Sequence, residues 1–318
     1  MSKRKSSESS TTLEEQLGEV AFNNTATIQH RLKRTKPYQM LFKWQNNLKR
    51  YVPSYFDGKR RHKTFDEVKT YCLFIGHARS GHSFFGAMLD AHPKMVIADE
   101  VDSLSYLDSG FGRDQIYSLI FSSSLELARR HRDKDGRDGS TYSYLIPGQW
   151  QGRYDNLQVI GDTKAGKSTY RLDRNPALLD KLRAAIGKAN LKVIHITRNP
   201  FDNISTSMLR SGRTFNNSID LYFDRCRALT TVRERLNKEE LLTLRQEDII
   251  ANPQLALENT CKFLNIDIMP DYINDCVKVV YQSPSQTRSK VQWSDGLIEL
   301  VQSKLDAYDF LTGYSFEN

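Results

Sequence analysis

The sequence predicts an α/β protein in which helices flank both faces of a parallel β-sheet, as in a P-loop-like three-layer sandwich. Two observations predict it. Short apolar runs at 70–76, 157–161, 191–197 and 241–245 alternate with longer segments of helical periodicity. These runs are almost continuously apolar, which is typical of parallel strands buried on both faces. The length of 318 residues is sufficient for one large domain of this class.

The elements follow in order from the N-terminus. Residues 1–25 are polar and serine-rich, as in a disordered segment, and residues 26–65 mix aromatic and basic side chains, as in a helix or arm. We therefore assign residues 1–65 to a basic, partly disordered N-terminal extension and residues 66–318 to the α/β domain. Residues 132–156 are predicted to be a turn-rich surface excursion. Helices are predicted over 82–91, 113–131, 175–188, 200–211, 217–236, 253–264 and 295–307.

The positive charge is concentrated near the N-terminus. Residues 1–70 carry 15 Lys and Arg against 7 Asp and Glu, whereas residues 71–318 carry 31 of each. We interpret this basic segment as a solvated tail, or as a segment that makes a weak contact with nucleic acid or an anionic surface. The four cysteines have no metal-binding spacing, so we expect no structural zinc and a reduced compartment. No apolar run reaches the ~18–20 residues that span a bilayer, and the expected location is the cytoplasm.

Residues 71–83, YCLFIGHARSGHS, run from an apolar strand through a turn into a helix. Such a turn directs backbone N–H groups, a helix N-terminus and a cation at one phosphate. It has the outline of a Walker loop, G-x-x-x-x-G-K-[ST], but His82 stands in place of the lysine, and Arg79 is the candidate replacement cation. This favours a nucleotide whose β- and γ-phosphates are not the reacting groups. An ordinary strand–turn–helix corner is the alternative.

The second strand-end motif is HITRNPFD, residues 195–202. Asn199 is predicted to cap a helix that begins with Pro200. Arg198 therefore stands at the carboxyl end of a buried strand, where open α/β sheets place ligands. Thr206, two helical turns further on, adds a hydroxyl. An arginine that merely pairs with a carboxylate is the alternative.

Residues 161–168, GDTKAGKS, match the Walker pattern literally after a predicted strand. A P-loop NTPase also needs an acidic residue at the end of a neighbouring strand to hold Mg²⁺. The strand LKVIHIT is followed by Arg198 instead. A P-loop ATP- or GTP-dependent kinase or NTPase is therefore the alternative function.

Together these motifs resemble the sulfotransferases that use 3′-phosphoadenosine 5′-phosphosulfate (PAPS). Residues 79–83, RSGHS, are similar to the family's R/K-S-G-T-[TS] loop, and residues 198–202, RNPFD, to its R-[ND]-P-x-[DE] corner. MLDAHP (88–93) and residues 245–266 also resemble family segments, and the "GDK" segment of many members is similar to Gly161, Asp162 and a shifted Lys164. The resemblance covers about residues 70–310. His82 departs from the usual threonine, and Thr206 from the usual serine.

The resemblance implies transfer of a sulfuryl group from PAPS to a hydroxyl or amine of an unidentified acceptor, without a metal ion. Glu100 matches the glutamate base of tyrosyl-protein relatives, His82 is the other candidate base, and Arg79 would stabilise charge on the sulfuryl group. A catalytically silent member of the fold remains an alternative, because of His82. Residues 283–290 resemble the mobile segment that closes over the nucleotide. The residues implied to bind PAPS are Arg79, Ser80, Gly81, His82, Ser83, Arg198, Thr206, Arg288 and Lys290.

Overall fold

The computed structural model describes the backbone of residues 36–133 and 144–318, and the side chains of residues 47–130 and 144–318. The chain divides into two compact units, residues 1–53 and residues 54–318. Of the first unit, the structure describes part of the helix Lys36–Arg60. The second unit contains the whole sheet. The predicted boundary between an extension and a domain at residue 65 stays a prediction, and the predicted disorder of residues 1–25 lies outside the described residues.

Five parallel strands form the sheet. They are β1 (Thr70–Gly76), β2 (Met95–Ala98), β3 (Val159–Asp162), β4 (Asn190–Thr197) and β5 (Leu241–Arg245). Their spatial order is β2-β3-β1-β4-β5, so β1 is central, and the chain leaves it first toward one edge and later toward the other. Such a reversal of direction opens a crevice at the carboxyl ends of the central strands, where ligands bind in open α/β sheets.

Helices cover both faces of the sheet, which confirms the predicted three-layer architecture. All seven residues of β1 are buried, and they alternate between two clusters. Tyr71, Leu73 and Ile75 belong to one cluster, while Cys72 and Phe74 belong to the other. The α-helices are Lys36–Arg60, His62–Asp66, His82–Asp90, Ser103–Asp108, Arg113–Asp133, Ala165–Arg174, Ala177–Ile186, Pro200–Ser211, Phe215–Arg233, Gln246–Ala251, Pro253–Phe263, Pro270–Lys278 and Asp295–Leu305.

Most predicted elements are confirmed, and the differences have local causes. β1, β5 and the helix Pro200–Ser211 occur at their predicted bounds. β3 begins two residues later than predicted, because its register with β1 and β2 starts at Val159. Gln158 still forms backbone hydrogen bonds with residues 69, 70 and 94 at the entrance to the sheet. The four-residue strand β2 was not predicted, since so short an apolar run carries no periodicity. Of the predicted excursion, residues 144–156 contain no helix or strand, and residues 134–143 lie outside the described residues.

Within the described ranges, no helix is long and apolar enough to cross a membrane. The four cysteines are all buried free thiols.

Candidate active site

The loop after β1 is shaped as an anion-binding cradle. Gly76 and Gly81 have φ angles of 135° and 87°, and Arg79, between them, also adopts a left-handed φ of 69°. These angles curl the loop so that it ends on the helix His82–Asp90. Within the described chain, none of the backbone N–H groups of residues 78–84 donates to another group of the protein. Several open N–H groups at a helix start form a site for a phosphate or sulfate.

A further side chain, that of Gln246, packs closely on Gly81. A Cβ at position 81 would lie 2.8 Å from Nε2 of Gln246, on the first turn after β5, and would push this side chain aside. Gln246 also has a buried Oε1 atom with no hydrogen-bond partner in the described part of the chain. The close approach therefore brings an unsatisfied amide against the loop, and Gln246 is a residue that the sequence did not single out.

The corner after β4 holds this loop in place. Asn203 donates from Nδ2 to the carbonyl of Ala78 at 3.0 Å and to Oγ of Ser80 at 3.1 Å. Arg198 donates from Nη1 to the carbonyl of Arg79, also at 3.0 Å. The two motifs, about 120 residues apart, therefore form one site, as expected from two central parallel strands that end at the same edge.

Local sequence explains how this corner forms. Asn199 accepts hydrogen bonds from the backbone N–H groups of Phe201 and Asp202 at 2.9 and 3.4 Å, and Pro200 occupies the first helical position. The helix start then places Arg198, only 7% exposed, at the mouth of the crevice. Asn199 is thus the predicted N-cap.

Arg198 donates to neutral oxygen atoms that surround it. Besides the Arg79 carbonyl, its guanidinium reaches Oγ1 of Thr206 at 3.4 Å, the carbonyl of Ser285 at 2.7 Å and Oγ1 of Thr287 at 3.2 Å. The structure therefore brings Arg198 and Thr206 together, as the sequence predicted. Segment 283–290 closes over the same guanidinium.

Arg288 and Lys290, both predicted to reach a phosphate, have different surroundings. Arg288 is buried and forms an ion pair with Asp202, with a separation of 2.6 Å between Nη1 and Oδ2. Its backbone N–H donates to the other carboxylate oxygen at 2.8 Å. Lys290 is exposed. This geometry favours Arg288 as the residue that fixes segment 283–290 to the helix Pro200–Ser211, and the phosphate contacts of both residues stay predictions.

Glu100, the predicted base, lies beside the loop. Its carboxylate pairs with the ammonium group of Lys164, and Oε1 lies 3.8 Å from Nε2 of the buried His82. The nearby His82 imidazole and the Lys164 ammonium together lower the pKa of Glu100 to about 2. Nδ1 of His82 is buried and has no partner among the described residues. The two candidate bases, Glu100 and His82, therefore lie next to each other, and Lys164 lies beside Glu100.

Backbone strain and a buried carboxylate position Glu100. Its φ angle is 55°, in the left-handed region, and its N–H donates to Oγ1 of Thr163 at 3.3 Å. The next residue, Val101, donates to Oδ1 of Asp162 at 3.0 Å, and Ser103 donates to Oδ2 at 2.7 Å. Burial raises the pKa of Asp162 to about 6. Asp162, at the end of β3, thus holds the turn that carries the candidate base.

Residues 161–168 do not form a phosphate loop, although they match the Walker pattern. The N–H groups of Thr163, Lys164 and Ala165 donate to protein oxygens at 3.1, 3.1 and 2.6 Å, so these three groups are not available to a phosphate. The side chain of Lys167 is 63% exposed. A Cβ at Gly161 would lie 2.3 Å from the carbonyl of Cys72, so the close pairing of β1 and β3 explains this glycine. The NTPase or kinase alternative is not favoured.

The structure thus places the residues predicted at the loop, Arg79 to Ser83, against Arg198, Thr206 and Glu100. It adds Lys164, which the sequence analysis had matched only to a family segment, and Asn203 and Gln246, which no local pattern identified. Their signal lies in contacts across the sheet, because Asn203 and Gln246 follow other strands than the loop they contact.

Comparisons with known proteins give one family. A model of the "Sulfotransferase family" matches residues 73–271. No curated protein matches the sequence. Solved structures that resemble the chain include the sulfotransferase domain of the Synechococcus PCC 7002 olefin synthase, with 14% identity, a TM-score of 0.46, and coverage of 76% of this chain and 96% of that chain.

Two further solved structures are similar to the chain. Sulfotransferase STF9 from Mycobacterium avium is 12% identical, with a TM-score of 0.47 and coverage of 87% of this chain and 88% of that chain. Mouse sulfotransferase SULT7A1, in a complex with PAP, is also 12% identical, with a TM-score of 0.35 and coverage of 72% of this chain and 68% of that chain.

Proposed function

This chain belongs to the sulfotransferase family, whose members transfer a sulfuryl group, and we propose that its donor is PAPS and its acceptor a hydroxyl or amine. One observation supports the donor most strongly. The open N–H groups of residues 78–84 and the guanidinium of Arg198 lie on one continuous loop–corner unit, joined through the carbonyl of Arg79. A nucleotide with phosphates at both the 5′ and the 3′ position needs two such anion receptors close together.

In this proposal the 5′-phosphosulfate binds residues 79–83, and the 3′-phosphate binds Arg198 and Thr206. Arg198 now donates to neutral carbonyl and hydroxyl oxygens. A phosphate is a stronger, charge-assisted acceptor for a guanidinium than these oxygens. Nucleotide binding would therefore break the contacts of Arg198 with Ser285 and Thr287 and rearrange segment 283–290. The ion pair between Arg288 and Asp202 anchors this segment to the helix Pro200–Ser211.

The proposed chemistry is an in-line displacement at sulfur. The acceptor oxygen or nitrogen forms a bond to sulfur as the bond between sulfur and the bridging oxygen breaks, and the electron pair of that bond leaves on the 5′-phosphate of PAP. Glu100 takes the acceptor proton, and its low pKa means that the carboxylate is in its ionised, proton-accepting form at neutral pH. Arg79 and the loop N–H groups stabilise the charge that develops on the sulfuryl and bridging oxygens.

Lys164 has a proposed part in the same step. Its ammonium pairs with Glu100, so it orients the carboxylate and adds positive charge next to the loop. His82 stays the second candidate base, since its Nδ1 atom has no partner within the described residues.

Ligand protection tests the donor. PAP should raise the melting temperature of the protein at concentrations where ATP and GTP do not, because only PAP carries a 3′-phosphate. Incubation with radiolabelled PAPS and a mixed pool of small hydroxyl and amine acceptors should then transfer label. Protection by ATP and GTP without protection by PAP would contradict the proposal and favour a P-loop nucleotide site.

We also propose that the helix Lys36–Arg60 makes a weak contact with an anionic lipid surface. Within residues 54–60 of this helix, Tyr55 and Phe56 are 45% and 68% exposed. Lys59 and Arg60 are exposed on the same stretch. Exposed aromatic residues beside basic ones suit the interface of an anionic membrane.

Sedimentation with vesicles tests this contact. The protein should co-sediment with vesicles that contain phosphatidylserine, and it should not co-sediment with pure phosphatidylcholine vesicles. The substitution Phe56→Ser and added salt should each reduce the bound fraction. Equal binding to both vesicles, or a concentration-dependent dimer that Phe56→Ser dissolves, would overturn the proposal.

A further inference from the structure

Arg225 is a cation beside the loop, and the described part of the chain provides no acidic partner for it. It lies half-buried on the helix Phe215–Arg233. Its guanidinium carbon lies 4.6 Å from the ring centroid of Tyr170, so the group is stacked on an aromatic face. Across the part of the chain that the structure describes, no carboxylate pairs with it, and its buried Nε donates no hydrogen bond.

Two other arginines in this region do have acidic partners. Arg171 donates two hydrogen bonds to Asp102, at 2.8 and 2.7 Å. Arg227, two residues after Arg225 on the same helix, pairs with Asp224. A half-buried guanidinium without a carboxylate loses hydration and gains no ion pair in return. Such an arrangement is typical of a group whose partner is a ligand.

The guanidinium faces the cradle. A Cβ placed on Gly166 would lie 3.5 Å from Cζ and 3.6 Å from Nη1 of Arg225, and 3.7 Å from the backbone nitrogen of Ala78. Glycine at position 166 thus leaves a space between a guanidinium and an amide N–H that donates to no described group. The charge of Arg225 also acts on the loop. The pKa of the adjacent His77 is lowered to about 3, mainly by burial of this imidazole and in addition by the positive charge of Arg225.

This space is close to the candidate reaction centre. Gly166 lies on the first turn of the helix Ala165–Arg174, and Lys164, which pairs with Glu100, is the N-cap of that helix. Two residues of chain span at most about 7.6 Å between Cα atoms. The space therefore lies at the start of the helix whose N-cap residue pairs with the candidate base, on the strand β3 side of the loop rather than at the Arg198 corner.

We propose that Arg225 and the N–H of Ala78 form an oxyanion subsite next to the phosphosulfate loop, open because residue 166 is glycine. This inference rests on the proposed function, and it deepens it. The occupant is a sulfate-like or carboxylate group from one of two sources, either the sulfuryl group of the donor or an anionic substituent of the acceptor. In the second case, the acceptors of this enzyme are acidic molecules.

Affinity measurements on three variants test the subsite. Arg225→Gln removes the charge, Arg225→Lys keeps the charge but loses the planar fork, and Arg227→Gln is the matched control on the same helix. Calorimetry at constant ionic strength measures PAP, PAPS and inorganic sulfate, with sulfate titrated into both the free and the PAP-saturated protein. The melting temperature of each variant without ligand shows whether it is folded.

We expect Arg225→Gln to weaken sulfate binding by roughly 10- to 150-fold, the size of one charge-assisted hydrogen bond. The sulfate affinity of Arg225→Lys should lie between those of the wild type and Arg225→Gln, and the sulfate affinity of Arg227→Gln should match that of the wild type. PAP affinity should stay unchanged. If PAPS affinity falls with that of sulfate, the occupant is the donor's sulfuryl group. If PAPS affinity stays unchanged, the occupant is an acidic group of the acceptor.

Several results would overturn the subsite. One is unchanged sulfate affinity in folded Arg225→Gln, and another is an equal loss in Arg227→Gln, which would indicate long-range charge alone. A loss of PAP affinity equal to the loss of sulfate affinity would place Arg225 in the nucleotide site. Failure of the wild type to bind PAP would contradict the proposed donor instead, and the titration of sulfate into the free protein would still decide the subsite.

Discussion

Replacing Arg198 by alanine removes the guanidinium that joins the two corners of the site. In the proposed function this guanidinium receives the 3′-phosphate of the donor. A hydrogen bond between charged groups contributes about 1.5–3 kcal/mol, and about 1.4 kcal/mol corresponds to tenfold in affinity. We therefore expect Arg198→Ala to weaken the binding of PAP by roughly 10- to 150-fold. The binding of 5′-AMP, which lacks the 3′-phosphate, should change little.

The substitution also has a structural cost. Arg198 donates to the carbonyls of Arg79 and Ser285, and both of these residues are exposed, so water can replace the lost donor. The cost in folding free energy should therefore stay below the ~1–3 kcal/mol of a fully buried acceptor. The melting temperature must therefore be measured with each affinity. Thr206→Val is a milder second variant, because it removes one hydroxyl and leaves the guanidinium in place. Arg210→Ala is the control, an exposed arginine on the same helix.

Calorimetry of PAP and 5′-AMP with these proteins decides the assignment. The expected pattern is a loss for PAP alone in Arg198→Ala, a smaller loss for PAP alone in Thr206→Val, and no loss in Arg210→Ala. An equal loss of affinity for both nucleotides would contradict the assignment of Arg198 to the 3′-phosphate, since it would show that Arg198 maintains the loop instead. A wild-type preference for ATP over PAP would refute the family-based donor as well.

Four further predictions concern catalysis and the N-terminus. Arg79→Ala should lower the rate of sulfuryl transfer by about 10²–10³ with the fold intact, and wild-type turnover would exclude it from catalysis. Glu100→Gln should lower the rate by about 10²–10⁴ with PAP affinity retained; if activity survives there but is lost in His82→Ala, His82 is the base. Because the pKa of Glu100 is lowered to about 2, titration of this carboxylate should cause no fall in kcat/KM between about pH 7 and about pH 5. Protonation of Asp162, which holds the turn of Glu100 and whose pKa is raised to about 6, should cause a fall centred there, and a fall centred elsewhere would indicate another base. Deleting residues 1–25 should leave the melting temperature nearly unchanged, and a large decrease would show that they stabilise the fold.

Much of the sheet could be predicted from sequence because its signals are local. β1 and β5 are short apolar runs, and the helix Pro200–Ser211 has its own cap and first-turn proline. β2 could not be predicted, since a four-residue strand has too few positions to show a period. Gly161 and Gly166 match a Walker pattern for other reasons. Gly161 allows the close pairing of β1 with β3, and Gly166 lies next to Arg225.

Local sequence specifies most of the strands and helices, and it places two polar corners after buried strands, because caps, apolar runs and glycine turns act within a few residues of themselves. Which side chains meet depends on the tertiary structure. The strand order brings Arg198 to the carbonyl of Arg79, pairs Arg288 with Asp202, and leaves Arg225 without a carboxylate beside the loop. Such contacts join residues 80 or more positions apart, and no local pattern specifies which distant surface a side chain will face once the helices pack on the sheet.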